Sequence, residues 1–355
     1  MQAIIYYNYG SPDILQLKEI EKPTPGDDAV LIKVRAASVN PLDCGELRGV
    51  PLLFRLAFGL KKPTIAEPWR PGVDLAGVVE SVGLNVTRFR SGDAVFGVCI
   101  SDPQASGTKV WLHRQGSFAE YVCAPESMLA KKPDNVTFEE AASAPVAAFT
   151  ALQGLRDKGQ IRSGQKVLIT GAAGGVGSFA VQIAKWSGAD VTGVCSTRNV
   201  DRVKSIGTDH VIDYTQDDLT SRGERYDLLF DCVGNHSLSE CRRVMTPRGK
   251  CIMVGDLSGR SAIGLIFRLI TALLLSRFTS QKFIFFLARP NTGDLKVTRD
   301  LMIEEKLKPM VDRCYSLSEV SAAIRYVGEK HARGKVVVTL DGDAQAQEPC
   351  IQTNV

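Results

Sequence analysis

The sequence is poor in the residues that build metal and disulfide scaffolds. Its 355 residues include four histidines, and none of its nine cysteines forms a CxxC pair. Structural zinc sites need closely spaced cysteine and histidine ligands, so a structural zinc lobe is excluded. An odd number of scattered thiols also argues against a disulfide framework and favours a reducing compartment. Because the N-terminus has no basic and apolar leader, we expect a cytoplasmic protein.

Dense positive charge is also lacking. The formal net charge is +4, from 43 basic and 39 acidic residues, and no run of Lys and Arg is interleaved with aromatic residues. A nucleic-acid-binding surface needs such a cluster. Nucleic acid is therefore not an expected partner.

No apolar run is long enough to cross a membrane. The most apolar segment, residues 262–278, is interrupted by Arg268 and Arg277, whereas a spanning helix needs about 20 apolar residues. Its periodicity predicts a helix packed on a core or a subunit interface, and peripheral membrane attachment stays open as the alternative. The predicted apolar face contains Ile263, Ile266, Ile270, Leu273 and Leu274.

The arrangement of apolar runs predicts two domains. Residues 1–125 contain short β-branched and apolar runs separated by Gly and Pro, which predicts a β-rich domain. From residue 126 such runs alternate with helical segments, from KVLIT at 166–170 to FIFFLA at 283–288. This alternation predicts βαβ units on a parallel sheet that is covered on both faces. We expect residues 290–342 to return to the first domain and residues 343–355 to form a disordered tail.

A glycine-rich turn, GAAGGVG, joins KVLIT to a helical segment. Glycine allows a tight turn and lets the backbone approach a pyrophosphate, whose charge the following helix N-terminus attracts. Between a strand and a helix, this motif predicts a dinucleotide site. Its residues are Gly171, Ala172, Ala173, Gly174, Gly175, Val176 and Gly177, with Ala172, Gly174 and Gly177 at the three glycine places.

The end of the next strand predicts which dinucleotide binds. An NAD site usually has an acidic residue there, about 20 residues beyond the glycines, for the ribose hydroxyls. This chain has Ser196, Thr197 and Arg198 instead. Hydroxyls and a guanidinium suit the 2′-phosphate of NADPH, and an ordinary solvated loop is the alternative. We predict NADPH as the cofactor.

Motifs along nearly the whole chain resemble one family. GAAGGVGSFAVQIAK is similar to the AAxGGVG signature of the zinc-independent quinone oxidoreductases in the medium-chain dehydrogenase/reductase superfamily. SVNPLDCGELRG, RPGVDLAGVVESVG and GSFAEYV resemble three further segments of that family. The resemblance implies an α/β protein with a GroES-like, β-rich catalytic domain, residues 1–125 and 290–342, and a Rossmann domain with a doubly wound parallel sheet, residues 126–289. We expect the last Rossmann strand, FIFFLA, to pair with its copy in a homodimer.

The zinc-dependent alcohol dehydrogenases of the superfamily provide a contrast. By resemblance, they have a cysteine where this chain has Asn40 and a His-Glu pair where it has Val73 and Asp74; a second cysteine ligand would lie near Pro145 or Val146. We therefore expect no metal. Without a Lewis acid, the expected hydride acceptor is an apolar quinone or an α,β-unsaturated carbonyl compound, in which charge delocalises into a phenolate or an enolate.

The catalytic candidates are Asn40, Asp43 and Arg48. The family match implies that Asn40 lies beside the nicotinamide. For Asp43 a structural turn is the alternative, because NPxD also favours a turn, and for Arg48 the alternatives are a substrate-side cation and a surface salt bridge. Several family members have a tyrosine shortly after the RxG element, and this chain has none. The proton donor is therefore unassigned, and solvent can serve.

The resemblance also implies weaker cofactor contacts. Lys185 would lie near the adenosine phosphate and Tyr214 near the adenine edge, whereas a solvated helix lysine is the alternative for Lys185. Lys335 would close over the cofactor with the preceding glycine, or would only cap the final strand. The full set is Lys185, Tyr214, Val233, Gly234, Gly334 and Lys335.

These patterns predict a zinc-independent, NADPH-dependent reductase of quinones, enones or alkenals, with its substrate in a cleft between the two domains. A ketone or alcohol dehydrogenase is one alternative. An NADPH-binding regulatory or membrane-adapter protein with little turnover is the other, motivated by the missing tyrosine and by the apolar segment 262–278. The sequence does not identify the physiological acceptor, because variable loops form the pocket walls.

Overall fold

The computed structural model describes residues 1–49, 68–100, 115–221, 223–254 and 262–340. The chain divides into two compact units. The first contains Met1–Val146, Pro290–Glu304 and the chain from Pro309, and the second contains Ala147–Arg289 and Glu305–Lys308.

The strands and helices are numbered in chain order. The strands are β1 (Gln2–Ile5), β2 (Gln16–Glu19), β3 (Ala29–Val39), β4 (Asp74–Val82), β5 (Ala94–Val98), β6 (Tyr121–Pro125), β7 (Leu129–Lys131), β8 (Lys166–Thr170), β9 (Asp190–Cys195), β10 (His210–Asp213), β11 (Tyr226–Asp231), β12 (Met245–Met253), β13 (Lys282–Phe285), β14 (Val311–Ser316) and β15 (Lys335–Thr339). The helices are α1 (Pro41–Arg48), α2 (Phe138–Ser143), α3 (Pro145–Leu152), α4 (Gly175–Trp186), α5 (Val200–Ser205), α6 (Leu238–Arg243), α7 (Ala262–Phe278), α8 (Thr292–Ile303) and α9 (Val320–Gly328).

The first unit is built on a mixed sheet with the order β14-β15-β3-β4-β5-β7, and β6 pairs with β3. Pairing is antiparallel except between β14 and β15. Most of β3 is buried, and its residues Val30, Ile32 and Val34 lie in the core of this unit. The C-terminal strands thus return to this sheet, and the predicted β-rich domain is confirmed.

The second unit is built on a parallel sheet with the order β10-β9-β8-β11-β12-β13. In the unit's own strand numbers this is 3-2-1-4-5-6, the order of the doubly wound dinucleotide-binding fold. Val167, Leu168 and Ile169 of β8 are all buried, as expected for a strand that is covered on both faces. The predicted Rossmann fold class is confirmed.

The boundary between the units falls after Val146 rather than after residue 125. The reason is that β7 pairs with β5 and that α2 packs on β3 and β4 of the first sheet. The alanine-rich segment therefore begins in the first unit although it reads as helical. The predicted tail, residues 343–355, lies outside the described residues.

Helix α7 forms over residues 262–278 as predicted, but its apolar face is not packed on the core of its unit. Ile270, Leu273 and Leu274 are exposed, whereas Ala272 on the other side is buried. The side chains of Ile263 and Ile266 lie outside the described part. Among the described residues, no helix meets the length and hydropathy needed to cross a membrane.

Candidate functional site

The first group of candidate residues lies where β3 turns into α1. Asn40 precedes the helix, and Pro41 stands at its first position, where a missing N–H costs nothing. Asp43 accepts a hydrogen bond from the Asn40 amide through Oδ2, at 2.7 Å, and from the Gly72 amide through Oδ1, at 3.1 Å. Asp43 therefore ties the turn to the segment that leads into β4. Both of its oxygens hold backbone amides, which fits the turn-holding alternative.

Burial sets the charge state of this carboxyl group. Asp43 is completely buried, and burial raises its pKa to about 7, with the Asp74 carboxylate acting in the same direction. The Asn40 and Gly72 amide bonds and the Lys335 cation lower the pKa but do not cancel the effect of burial. Asp43 thus changes charge in the neutral pH range.

This pKa predicts a specific loss of stability as the pH rises. A carboxyl group with a higher pKa in the folded state binds its proton more tightly when folded. The stabilisation is therefore complete below about pH 4 and is lost as the pH rises through 7. Between pH 5.5 and 8.5 the free energy of unfolding is expected to fall by about 2 kcal/mol from this group. Urea unfolding at both values should show a smaller difference for Asp43→Asn; an equal difference in both proteins would contradict the assignment.

Next to the turn, four buried polar side chains form one hydrogen-bonded network. The Asp74 carboxylate, at the start of β4, accepts from Ser38 Oγ at 2.7 Å, from Asn40 Nδ2 at 2.9 Å and from Lys335 Nζ at 3.3 Å through Oδ2. Its Oδ1 accepts from the Val146 amide at 3.0 Å. Lys335 Nζ also donates to Asn40 Oδ1 at 2.6 Å. A buried ion pair is thus enclosed by the hydrogen bonds that such a pair requires.

The network uses up the hydrogen-bonding groups of Asn40. Its amide nitrogen donates to Asp74 Oδ2 and to the Ser38 carbonyl oxygen, and its Oδ1 accepts from Lys335. Lys335, unlike Asn40, has a hydrogen-bonding group to spare. Its ammonium group has three hydrogens, and within the described part of the chain two of them are donated, to Asn40 Oδ1 and Asp74 Oδ2. Lys335, which the sequence linked to the cofactor, therefore belongs to the Asn40 cluster and retains a donor.

The same network bears on metal binding. By the resemblance given above, Asn40 stands where the zinc-dependent relatives have a cysteine and Asp74 stands where they have the glutamate of a His-Glu pair; here both contact the Lys335 ammonium group. A fixed positive charge at this point is electrostatically unfavourable for a second cation. In the described residues, no three His, Cys, Asp or Glu side chains are grouped as metal ligands.

The glycine-rich turn lies at the carboxyl end of β8, directly before α4. Gly171 has a φ of 65°, a left-handed conformation that favours glycine. A Cβ on Gly177 would lie 2.1 Å from the Gly171 carbonyl oxygen, so α4 approaches the turn closely only because residue 177 has no side chain. The amide of Ala172 donates to the Val194 carbonyl oxygen at 3.1 Å and joins the turn to β9. The turn therefore leaves the first amides of α4 available to a pyrophosphate.

The loop after β9 contains the residues predicted to select NADPH. Ser196 Oγ accepts from Asn199 Nδ2 at 3.1 Å, and Thr197 Oγ1 donates to the Asp213 carboxylate at 2.6 Å. Arg198 is exposed. Asp213 ends the neighbouring strand β10, so an acidic group does lie beside this loop, although none follows β9 itself in the sequence. Since Thr197 is engaged with that acid, Arg198 is the group left to attract a phosphate.

Two more predicted contacts lie at the same edge of the parallel sheet. Tyr214 follows β10, is 62% exposed, and its amide donates to the carbonyl oxygen at the end of β9. Val233 packs against the glycine turn, because a Cβ on Gly171 would lie 2.9 Å from its Cγ2. The amides of Val233 and Gly234 both donate to Asp231 Oδ1. The structure thus gathers these residues at the carboxyl edge, where ligands of such sheets bind.

Three other predicted residues are not brought to these clusters. Lys185 is in the last turn of α4 and pairs with Asp209 at 2.7 Å, which places it at the opposite end of the helix from the glycine turn. Arg48 is exposed at the end of α1 and lies against Gly328 of α9. Gly334 precedes β15 in the first unit, not in the Rossmann unit. Lys185 is thus held in an ion pair away from the glycine turn, and Arg48 lies at the surface.

Sequence reasoning missed the partners of the network. Ser38 was not singled out, and Asp74 was noted only as the residue that stands where the zinc-dependent relatives have the glutamate of a His-Glu pair. Asp231, which ends β11 and accepts from Thr170 Oγ1 at 2.7 Å, was also missed, although an acid at the end of a buried apolar strand is a usable signal. Each of these groups is buried, and a buried polar residue in an apolar run indicates a specific partner.

Comparisons with known proteins agree with this arrangement. A family model described as "Alcohol dehydrogenase GroES-like domain" matches residues 26–134, and one described as "Zinc-binding dehydrogenase" matches residues 206–338. The chain is 35% identical to "Quinone-oxidoreductase homolog, chloroplastic" of Spinacia oleracea, covering 95% of this chain and 98% of that protein. It is 33% identical to "NADPH-dependent alkenal/one oxidoreductase, chloroplastic" of Arabidopsis thaliana, in a match that covers 95% of this chain and 79% of that protein. The solved quinone oxidoreductase from Coxiella burnetii superposes with a TM-score of 0.78 at 28% identity, covering 96% and 99%.

Proposed function

Because this chain is a member of the quinone oxidoreductase-like family of the medium-chain dehydrogenase/reductase superfamily, we propose that it is a zinc-independent, NADPH-dependent reductase of quinones or α,β-unsaturated carbonyl compounds. The observation that carries this proposal is the Lys335 ammonium group, which is bonded to both Asn40 and Asp74. It supplies positive charge in the cluster where the zinc-dependent relatives use a metal ion.

NADPH, when bound, supplies the hydride. The residues of the second unit that fit it are the glycine turn and the first amides of α4, for the pyrophosphate, and Arg198, for the 2′-phosphate. In the first unit Lys335 is the donor that we assign to the acceptor oxygen, because negative charge develops there during reduction. Asn40 and Asp74 orient Lys335, and Asp43 holds the turn that carries Asn40, so these are positioning residues. The proton that completes the reduction, at carbon for an enone or alkenal and at oxygen for a quinone, comes from solvent.

The direct test is loss of the reduced-nicotinamide absorbance with an ortho-quinone, an alkenal and a cyclic enone, each with NADPH and with NADH. The protein is first dialysed against a chelator. NADPH-selective turnover after dialysis supports the proposal and ranks the acceptors. Turnover that requires added zinc, or that oxidises secondary alcohols instead, would favour an alcohol dehydrogenase. NADPH binding without turnover would favour a regulatory protein.

Arg198→Ala tests the choice of cofactor. Loss of the guanidinium removes the charged donor for the 2′-phosphate, so KM for NADPH is expected to rise about tenfold while KM for NADH stays the same. Lys204→Ala is the matched control, because Lys204 is an exposed cation on the adjacent helix α5. An unchanged NADPH KM in Arg198→Ala, or an equal rise in Lys204→Ala, would refute the assignment.

The predicted homodimer also remains a proposal. β13 is the edge strand of the parallel sheet, and a short edge strand can pair with its copy and extend the sheet. Light scattering at micromolar concentration should give twice the chain mass, and a monomer would contradict the proposal. The cytoplasmic location also stays a prediction, since both of the curated relatives named above are described as chloroplastic.

A further inference from the structure

Helix α7 presents a row of large apolar side chains to solvent. Phe267 is 72% exposed, Leu273 68% and Phe278 80%, and Ile270 and Leu274 are each about half exposed. At 3.6 residues per turn, these five positions fall within roughly 140° of the helix circumference. They form one continuous face, which we call the α7 apolar face.

The opposite side of the helix fixes this orientation. Arg268 Nη1 donates to the His236 carbonyl oxygen at 2.8 Å, and its Nη2 lies 3.8 Å from Asp231 Oδ2. Ala272, on the same side, is buried in the core of the unit. The Asp231 carboxylate is 1% exposed and Arg268 only 12%, so rotating the helix would leave a buried carboxylate without its counterion. The apolar face is therefore held outward by a buried polar contact.

The charged residues of the chain segment that contains α7 are of one sign. From residue 257 to residue 293 the chain contains no Asp or Glu and five cations, at positions 260, 268, 277, 282 and 289. Arg277 is exposed within the angular range of the apolar face, and Lys282 is exposed just beyond the helix. Apolar side chains flanked by exposed cations are complementary to a surface that is apolar below and anionic above.

We propose that α7 binds a lipid bilayer containing anionic headgroups, lying in the plane of the interface with its apolar face inserted. At about 1.5 Å per residue, a helix of this length is almost as long as the hydrocarbon core is thick. It cannot insert across the bilayer, however, because Arg268 holds it along the surface of its unit. A second copy of this face is a poorer occupant, because it would bring the exposed Arg277 guanidinium groups of both copies together. This inference goes beyond the proposed function and does not depend on it.

Flotation of the full chain with lipid vesicles tests this inference without any turnover assay. The probes are vesicles of phosphatidylcholine alone and with about one-third phosphatidylglycerol, at low and high salt. The wild-type protein is expected to float with the anionic vesicles at low salt and about tenfold less with the neutral ones. Leu273→Glu should lower binding at least about tenfold, and Arg277→Gln about fivefold, as for the loss of one cation at an anionic surface.

Leu84→Glu is the matched control, because Leu84 is 91% exposed in the first unit, away from α7 in the chain. It should float as the wild type does. Absence of flotation with the anionic vesicles, or equal losses in Leu84→Glu and Leu273→Glu, would overturn the proposal. If Leu273→Glu instead halved the mass in light scattering and left flotation unchanged, the face would be a contact between copies and the proposal would be wrong.

Discussion

Lys335→Met is expected to destabilise the first unit by about 3–5 kcal/mol, the range for removing one partner of a buried ion pair. Methionine fills much of the same volume, so the main effect is electrostatic. The Asp74 carboxylate would stay buried without the cation that contacts it at 3.3 Å, and Asn40 Oδ1 would lose its donor. Hydrogen exchange of the β3 and β15 amides reports on this unit alone and measures the loss.

The double variant Lys335→Met with Asp74→Asn separates the structural role from the chemical one. Neutralising residue 74 removes the unpaired charge, so the double variant is expected to be more stable than Lys335→Met alone, with a coupling energy of about 1–3 kcal/mol. Reductase activity should not return, because neither variant has an ammonium group to donate to the acceptor oxygen. Recovery of both stability and activity would show that Lys335 acts only as a counterion.

Structural elements that are determined by residues close together in the chain could be predicted from the sequence. The glycine-rich turn, the strand β8 before it and the helix α4 after it are contiguous, and the steric demand at Gly177 arises from a residue only six positions earlier. Alternating strands and helices also specify a parallel sheet, because neighbouring parallel strands need a long crossover connection, which is usually a helix. The strands and helices of the Rossmann unit therefore followed from the sequence, whereas its N-terminal boundary did not.

The network around Asn40 could not be predicted in the same way. Lys335 and Asp74 are 261 positions apart, and only the pairing of β15 and β4 on either side of β3 brings them together. A lysine that starts a strand reads as exposed by composition alone. The same difficulty applies to Lys185, whose partner Asp209 is set by the ends of β9 and β10 rather than by any motif.

Helix α7 shows a different limit of sequence reasoning. Periodicity correctly indicated that Ile270, Leu273 and Leu274 share one face, and on that basis the face was expected to be covered. Which side of the helix faces inward is decided by Arg268, through its contacts with His236 and Asp231. An apolar pattern therefore identifies a face, whereas the position of the buried polar contact determines whether that face is covered.

Gly177→Ala is expected to abolish measurable NADPH binding, a loss of at least about 100-fold, and to lower the stability of the second unit by about 1–3 kcal/mol. The added Cβ would lie 2.1 Å from the Gly171 carbonyl oxygen and 3.0 Å from the Ala172 Cα. Both are backbone atoms and cannot rotate away, so α4 must move off the turn. Fluorescence titration with NADPH and thermal unfolding without ligand measure the two effects separately.

Two further glycines of the chain make this prediction specific. A Cβ on Gly174 would lie 3.2 Å from the Gly171 carbonyl oxygen, a contact that a shift of a few tenths of an ångström relieves. Gly174→Ala should therefore keep the wild-type melting temperature and still weaken NADPH binding, because the methyl group occupies the space of the pyrophosphate. Gly45→Ala, where nothing lies within 4 Å, should leave NADPH binding unchanged and should not lower the melting temperature, because alanine has a higher helix propensity than glycine in the interior of α1. Equal destabilisation by Gly174→Ala and Gly177→Ala would mean that the stability of the turn does not depend on the close approach of α4 to it. Wild-type NADPH binding by Gly174→Ala would mean that the pyrophosphate binds elsewhere.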